Sequence, residues 1–171
     1  MNPIIRTEKV SEFAEISQLI QQAFMTAEHS DGTESQLVER LRISPAFIPQ
    51  LSLVALVDEK VAGYILFTKV QIGTQTQLGL APLAVLPEFQ RQGIGFSLIQ
   101  KGHQIAADMG YGWSVVLGSD RYYPRFGYCP AAQYGILCPF PGVAPQNYMA
   151  IRLRDDAPDC YGVVKYSPEF G

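Results

Sequence analysis

The chain has 171 residues, 47% of them hydrophobic and 17% charged, a balance that suits one ordinary globular domain with a well-filled core. A formal net charge of −3 leaves no broad basic surface, so nucleic acid is not an expected partner, while a cationic amine is compatible with the acidic balance. No run reaches the length of a membrane span and the N-terminus lacks a signal-peptide core, so the expectation is a cytoplasmic protein with no membrane partner.

In chain order, Ile4 and Ile5 predict a first strand. Ser11 is placed to cap a helix in which Phe13, Ile16, Leu19, Ile20 and Phe24 recur at helical spacing. Residues 25–32 form a polar break. Thr33-Glu34-Ser35-Gln36 has the pattern of a capping box and leads into a second helix through Leu37, Leu41 and Ile43. Residues 51–57 and 61–70 are rich in β-branched and aromatic side chains and flank the short polar Asp58-Glu59-Lys60, the pattern of a hairpin. Residues 78–85 predict the next strand, and Pro82 within it cannot donate to a ladder, which predicts a bulge or a local splaying.

From Ile94 to Met109, apolar or small residues at Gly95, Leu98, Ile99, Gly102, Ile105, Ala106 and Met109 form a stripe of period 3.6, closed by Gly110. Residues 113–117 form a compact apolar strand. Leu78 to Leu117 therefore reads as a right-handed βαβ unit with parallel strands. Its ligand crevice is expected at the carboxyl ends, between Leu83, Ala84 and Val85 on one side and residues 115–118 on the other. Residues 138–145, rich in proline, read as an ordered loop before apolar sequence resumes at 148–153.

The turn inside the βαβ unit is Gln90-Arg91-Gln92-Gly93-Ile94-Gly95. A glycine-rich turn from strand to helix presents unpaired N–H groups and the positive end of a helix dipole, which favour a phosphate or pyrophosphate. Two nucleotide motifs are excluded by spacing. Leu98 stands where a dinucleotide fingerprint needs its third glycine, and the Gly-Lys-Ser/Thr ending of a triphosphate loop is missing. Gly-x-Gly at a helix start also serves as plain capping and packing. Downstream, Ser119 to Tyr128 concentrates Tyr122, Tyr123, Phe126 and Tyr128, which by themselves also fit an aromatic plug.

Gln90-x-x-Gly93-x-Gly95, preceded by Val85-Leu86-Pro87, resembles the acetyl-coenzyme A signature of the GNAT superfamily of N-acetyltransferases. The runs at 33–42, 122–128 and 162–170 further resemble the YhbS-like group of bacterial GNAT proteins, so the likeness spans nearly the whole chain. It implies a single-domain α/β GNAT acetyltransferase fold over residues 1–171, a mixed central β-sheet flanked by helices with the acetyl-CoA cleft in the βαβ unit. It further implies that Gln90, Arg91, Gln92, Gly93, Ile94 and Gly95 hold the pyrophosphate of acetyl-CoA, with Leu83, Ala84 and Val85 beside the rest of the molecule. Tyr123 stands four residues before Gly127-Tyr128, the spacing of the tyrosine that commonly lies beside the cofactor sulfur in GNAT enzymes. The resemblance makes it cofactor-binding and the general acid, and a phenol of pKa about 10 is protonated at neutral pH.

The reaction so implied is direct attack of a primary amine, on a small molecule, peptide or protein, upon the acetyl thioester, with backbone N–H groups near Ala84 and Val85 polarising the carbonyl. An amine of pKa about 10.4 must first lose a proton. The strand at 78–85, where GNAT enzymes often place a carboxylate, has none. Glu34 is the preferred substitute base, ahead of Glu88 and His29, although a first-turn carboxylate also suits a helix dipole with no catalytic part. His103 is expected on the outer face of the long helix. The missing carboxylate keeps open a non-catalytic acyl-CoA-binding sensor, and a longer acyl donor or a macromolecular acceptor is a further alternative. Cys129, Cys138 and Cys160 have no metal-binding spacing with the two histidines, so buried or half-buried thiols and no metal are expected. A symmetric homodimer is the general expectation for the assembly.

Overall fold

The computed structural model describes residues 2–25 and 30–171. Its strands are β1 (Ile4–Thr7), β2 (Ser52–Val57), β3 (Lys60–Ile72), β4 (Gln75–Val85), β5 (Trp113–Leu117), β6 (Cys129–Pro130), β7 (Ile136–Leu137), β8 (Tyr148–Arg152) and β9 (Gly162–Lys165). Its helices are α1 (Phe13–Phe24), α2 (Glu34–Arg42) and α3 (Ile94–Asp108). The strands form a mixed sheet in the order β1-β2-β3-β4-β5-β8-β6, with β9 pairing both β3 and β7. β1 to β4 are antiparallel, and β4 and β5 are the parallel pair that α3 connects.

Alternation along β3 divides the core. Ile65 and Phe67 pack with Leu98 and Ile99 of α3, whereas Tyr64 and Leu66 pack with Ile16, Leu19 and Ile20 of α1 and Val38 and Leu41 of α2. Helices thus cover both faces of the sheet. At the far end of β3, Val70 and Ile72 join Trp113, Val115, Tyr148 and Ala150 in a third cluster. The β2–β3 hairpin closes through Asp58 and Glu59 at φ of 49° and 68°, the positive values a two-residue turn needs to follow the strand twist.

Pro82 has the effect its position predicts. Ile65 faces Leu83 while Phe67 faces Leu80, so β4 carries an extra residue at Ala81-Pro82. The bulge resets the alternation: Leu80, Leu83 and Val85 all pack on the α3 side, while Ala84 and Leu86 pack on the α1/α2 side. The β4–β5 ladder pairs Leu78 with Ser114, Gly79 with Val115 and Leu80 with Val116, and stops at the bulge.

Both predicted helix caps are corrected. Ser11 lies inside a 3₁₀ turn, Val10–Glu12, whose cap is Lys9; the Lys9 N–H donates to the Glu12 carboxylate at 2.8 Å, and Arg6 forks that carboxylate at 2.6 and 3.0 Å. Thr33 makes no cap bond to α2 because its hydroxyl donates to the Asp31 carboxylate instead. α2 ends at Arg42, which leaves Ile43 89% exposed rather than in the core, and Met109, just past α3, is also exposed. The short β6, β7 and β9 have no counterpart in the sequence reading.

Candidate active site

β4 leads through a 3₁₀ turn, Pro87–Phe89, into the glycine loop. Gln90 Nε2 donates to the Val85 carbonyl at 3.0 Å and Gln92 Nε2 to the Glu88 carbonyl at 3.1 Å, which folds the loop back onto the strand end. Arg91 and Gly93 take φ of 63° and 85°, and Gly93 is the N-cap of α3. The two glycines do different work. A Cβ on Gly93 would meet nothing within 4 Å, whereas one on Gly95 would clash with the Tyr122 hydroxyl and lie 3.8 Å from Leu83 Cδ2. Gln90, Arg91, Gln92 and Gly93 are exposed, and Ile94 and Gly95 are buried. The first intrahelical bond runs from Ser97 N to Gly93 O at 3.0 Å, so the amides of Ile94, Gly95 and Phe96 lack helical acceptors. Open space over a left-handed glycine, beside three free amides at a helix start, fits a diphosphate.

Backbone donors at the end of β4 follow from the register. Leu86 N donates to Ala62 O at 2.9 Å, and by antiparallel alternation Ala84 is the next hydrogen-bonded partner, opposite Tyr64. Leu83 and Val85 then direct their N–H groups away from β3, toward the side where β5 has left the ladder. The N–H of Ala84, one of the two expected to polarise a carbonyl, is thus spent on β3, whereas those of Val85 and Leu83 are not.

On the β5 side, Gly118 N donates to Asn147 O at 2.9 Å and Asn147 Nδ2 donates back to Gly118 O at 3.1 Å. A 3₁₀ turn, Tyr123–Phe126, follows and ends at Gly127 with φ of 100°. The Tyr123 ring covers Gly118, where a Cβ would fall 2.5 Å from Tyr123 Cε2, and meets Tyr122 and Tyr128 edge-on at 5.1 and 5.7 Å. Burial raises the Tyr123 phenol above the ordinary tyrosine range, which keeps it protonated.

The neighbouring Tyr128 belongs to the buried core. Tyr128 is fully buried, with its hydroxyl 2.9 Å from both His103 Nε2 and Ser114 Oγ. His103 therefore faces inward, against the expectation of an outer position, because Gly102 lets Phe67 close on α3 and Tyr128 supplies a polar partner. Burial lowers the His103 pKa to about 4.

The candidate bases are scattered. Glu34 accepts a hydrogen bond from Ser30 Oγ at 2.7 Å and lines a cavity of about 230 Å³ with Gln21, Phe24 and Ser35. It belongs to the α1/α2 layer, whereas Tyr123 packs with the α3-side core, so the two candidate catalytic residues are not brought into contact. Glu88 sits in an exposed ion pair with Lys60 at 3.3 Å; its own backbone N–H and then Lys60 hold its carboxyl below the usual range, which makes it a poorer base. His29 lies outside the described residues. A larger cavity, about 460 Å³, opens among Gln75, Gln77, Gly112 and Arg154 at the amino ends of β4 and β5, the opposite end from the glycine loop. Among the described residues Glu169 Oε1 is buried without a hydrogen-bond partner, a burial of which Ser-Pro-Glu-Phe carries no local signal. Among the described residues no group of three or more His, Cys, Asp or Glu gathers as metal ligands, and no helix is long and apolar enough to cross a membrane.

A parallel pair that parts at a bulge, a glycine cradle at its carboxyl end and a protonated tyrosine beyond it define an acyl-coenzyme A-dependent transferase. A model of the acetyltransferase (GNAT) family matches residues 14–128, and the chain belongs to that family. It is 35% identical over 171 residues, covering 98% of each chain, to a protein of Escherichia coli strain K12 described as the uncharacterized N-acetyltransferase YhbS. The crystal structure of Escherichia coli YhbS in complex with CoA is similar at a TM-score of 0.89 and 32% identity, over 99% of this chain and 92% of that one. A GNAT family acetyltransferase of Brucella melitensis in complex with acetyl-CoA is similar at a TM-score of 0.81 and 32% identity, over 99% of both chains.

Proposed function

We propose that this protein, acting as one catalytic domain, transfers the acetyl group of acetyl-CoA to a primary amine by direct attack. The observation that carries the reading is the alignment of three features along one edge of β4: the open Gly93 cradle, the free Leu83 and Val85 amides, and Tyr123 across the parted strands. Gln90 to Gly95 and the start of α3 bind the pyrophosphate. The Leu83 and Val85 N–H groups polarise the thioester carbonyl, an effect worth about 3 kcal/mol per well-placed donor. The neutral amine nitrogen bonds to the carbonyl carbon, the carbon–sulfur bond breaks and Tyr123 protonates the sulfur, while the proton shed by the nitrogen restores the phenol, a role worth about 10²- to 10⁴-fold in rate. Cys129, Cys138 and Cys160 are free thiols, which supports a reducing compartment such as the cytoplasm.

The test is to follow thiol release from acetyl-CoA against a panel of primary amines. Amine-dependent release supports the reading. Tight acetyl-CoA binding with no amine-dependent release across the panel replaces it with an acyl-CoA sensor.

A further inference from the structure

The backbone at Gly95 does not ask for a glycine. Gly93 takes a φ of 85°, whereas Gly95, in the first turn of α3, has a helical backbone that any residue adopts. Alanine is the better helix former, so space rather than conformation must account for glycine at this position. Space is short there. A Cβ on Gly95 would collide with the Tyr122 hydroxyl, with Tyr122 Cζ next at 3.6 Å and Leu83 Cδ2 at 3.8 Å. Three parts of the proposed site thus meet at one Cα: the start of α3, the end of β4 with the Leu83 N–H that β3 does not use, and the turn that carries Tyr123. Tyr122 has little room to turn aside. Its ring meets Tyr123 edge-on at 5.1 Å and Phe126 at 5.0 Å, and the Arg125 guanidinium lies 4.8 Å from its centre. Phe126 in turn packs on Phe96 of α3 at 5.7 Å. The two tyrosines also share an anchor, since both N–H groups donate to the Ser119 carbonyl at 3.2 Å. A push on the Tyr122 hydroxyl is therefore passed to Tyr123, whose ring rests on Gly118 just past β5.

We propose that Tyr122, seated on Gly95, is a positioning residue that fixes the distance between Tyr123 and the diphosphate cradle, and that glycine stands at this position to admit the Tyr122 hydroxyl. The inference rests on the acetyltransferase reading above and deepens it. In coenzyme A the diphosphate and the sulfur are joined by a pantetheine arm of fixed length. A sulfur at the end of that arm is met by Tyr123 only if Tyr123 is held at the matching distance from the amides that bind the diphosphate. A misplacement of about 1 Å in such a group costs up to about 100-fold in rate. Adjacent tyrosines are thus each seated on a glycine, Tyr122 on Gly95 after β4 and Tyr123 on Gly118 after β5. The two glycines of the loop divide its work: Gly93 leaves room for a phosphate, and Gly95 leaves room for a tyrosine.

The test uses the full chain with Gly95→Ala, Tyr122→Phe and both together, and repeats Gly95→Ala in a Tyr123→Phe chain. On each, kcat for amine acetylation, the acetyl-CoA dissociation constant and the melting temperature are measured. Gly95→Ala is expected to lower kcat at least about tenfold in a folded chain, and by a larger factor than it weakens acetyl-CoA binding. Tyr122→Phe in the same chain removes the colliding oxygen and leaves Tyr122 Cζ 3.6 Å from the new methyl, an ordinary contact. The double variant should therefore return to within about threefold of Tyr122→Phe alone. In the Tyr123→Phe chain, Gly95→Ala should cost less than about threefold more, because the residue it misplaces has already lost its proton donor. If Gly95→Ala does not fold, Tyr122→Leu, which empties the seat, takes its place, with the same loss expected in the wild-type chain and little in the Tyr123→Phe chain. A Gly95→Ala chain with wild-type kcat, a loss that Tyr122→Phe does not relieve, or a loss that recurs in full in the Tyr123→Phe chain overturns this inference and leaves the acetyltransferase reading standing. Tyr122→Phe alone lowering kcat as far as Tyr123→Phe also overturns it, because Tyr122 would then act on the substrate itself. A wild type with no amine-dependent thiol release overturns both.

Discussion

His103 Nε2 lies 2.9 Å from Tyr128 Oη, and that pair sits directly beneath Tyr123, whose ring centroid is 5.7 Å from that of Tyr128. Burial holds His103 neutral in the fold, with its pKa moved down from 6.5 to about 4. Between those values the unfolded chain binds a proton that the folded chain does not, so stability rises with pH across the window. The contribution is complete above the unfolded value and is lost as pH falls toward the folded one, amounting to about 3 kcal/mol at most. Denaturant midpoints measured from pH 7 down to about pH 4.5 should fall more steeply for the wild type than for His103→Gln, and parallel slopes would contradict the assignment.

Gly93→Asp places a negative charge and a side chain over the open side of the cradle, where a Cβ meets no other atom. Acetyl-CoA affinity should fall at least about 100-fold, while the left-handed backbone costs only about 1–2 kcal/mol of stability. Gly93→Ala carries the same backbone cost without the charge and should retain most of the affinity. Equal losses for the two variants in calorimetric titrations would mean that backbone geometry, not charge, governs the site.

Tyr123→Phe removes the proton donor and keeps the ring that covers Gly118. Turnover should drop about 100-fold with acetyl-CoA affinity unchanged, as for a group that acts in the transition state alone. Unaltered kcat would exclude the tyrosine as the acid.

Arg42 and Glu8 form a buried forked pair at 2.8 and 3.0 Å, with side chains 7% and 5% exposed. Arg42→Met strands the Glu8 carboxylate and should cost about 3–5 kcal/mol, part of which Glu8→Gln in the same chain recovers. Additive losses in chemical denaturation would show that the two side chains act independently.

The central βαβ unit was legible because its signals are contiguous: the stripe of α3, the glycine turn and the apolar β5 all lie between Leu78 and Leu117. Pro82 likewise announced the bulge, since a missing donor is a property of one residue. His103 was misread because its inward face depends on Gly102 beside Phe67 and on Tyr128, contacts between elements that spacing along a helix does not encode. The capping patterns at Ser11 and Thr33 failed to a closer competitor, Glu12 in one case and Asp31 in the other. β6 and β7, two residues each, are too short to carry a periodic pattern.

The most direct measurement is mass spectrometry of primary amines incubated with acetyl-CoA and the protein, with free thiol counted in the same reaction. Acetyl transfer by direct attack requires an acetylated amine to accumulate one-for-one with coenzyme A thiol. Thiol released without an acetylated amine, or neither product from any amine while acetyl-CoA is bound, would contradict it.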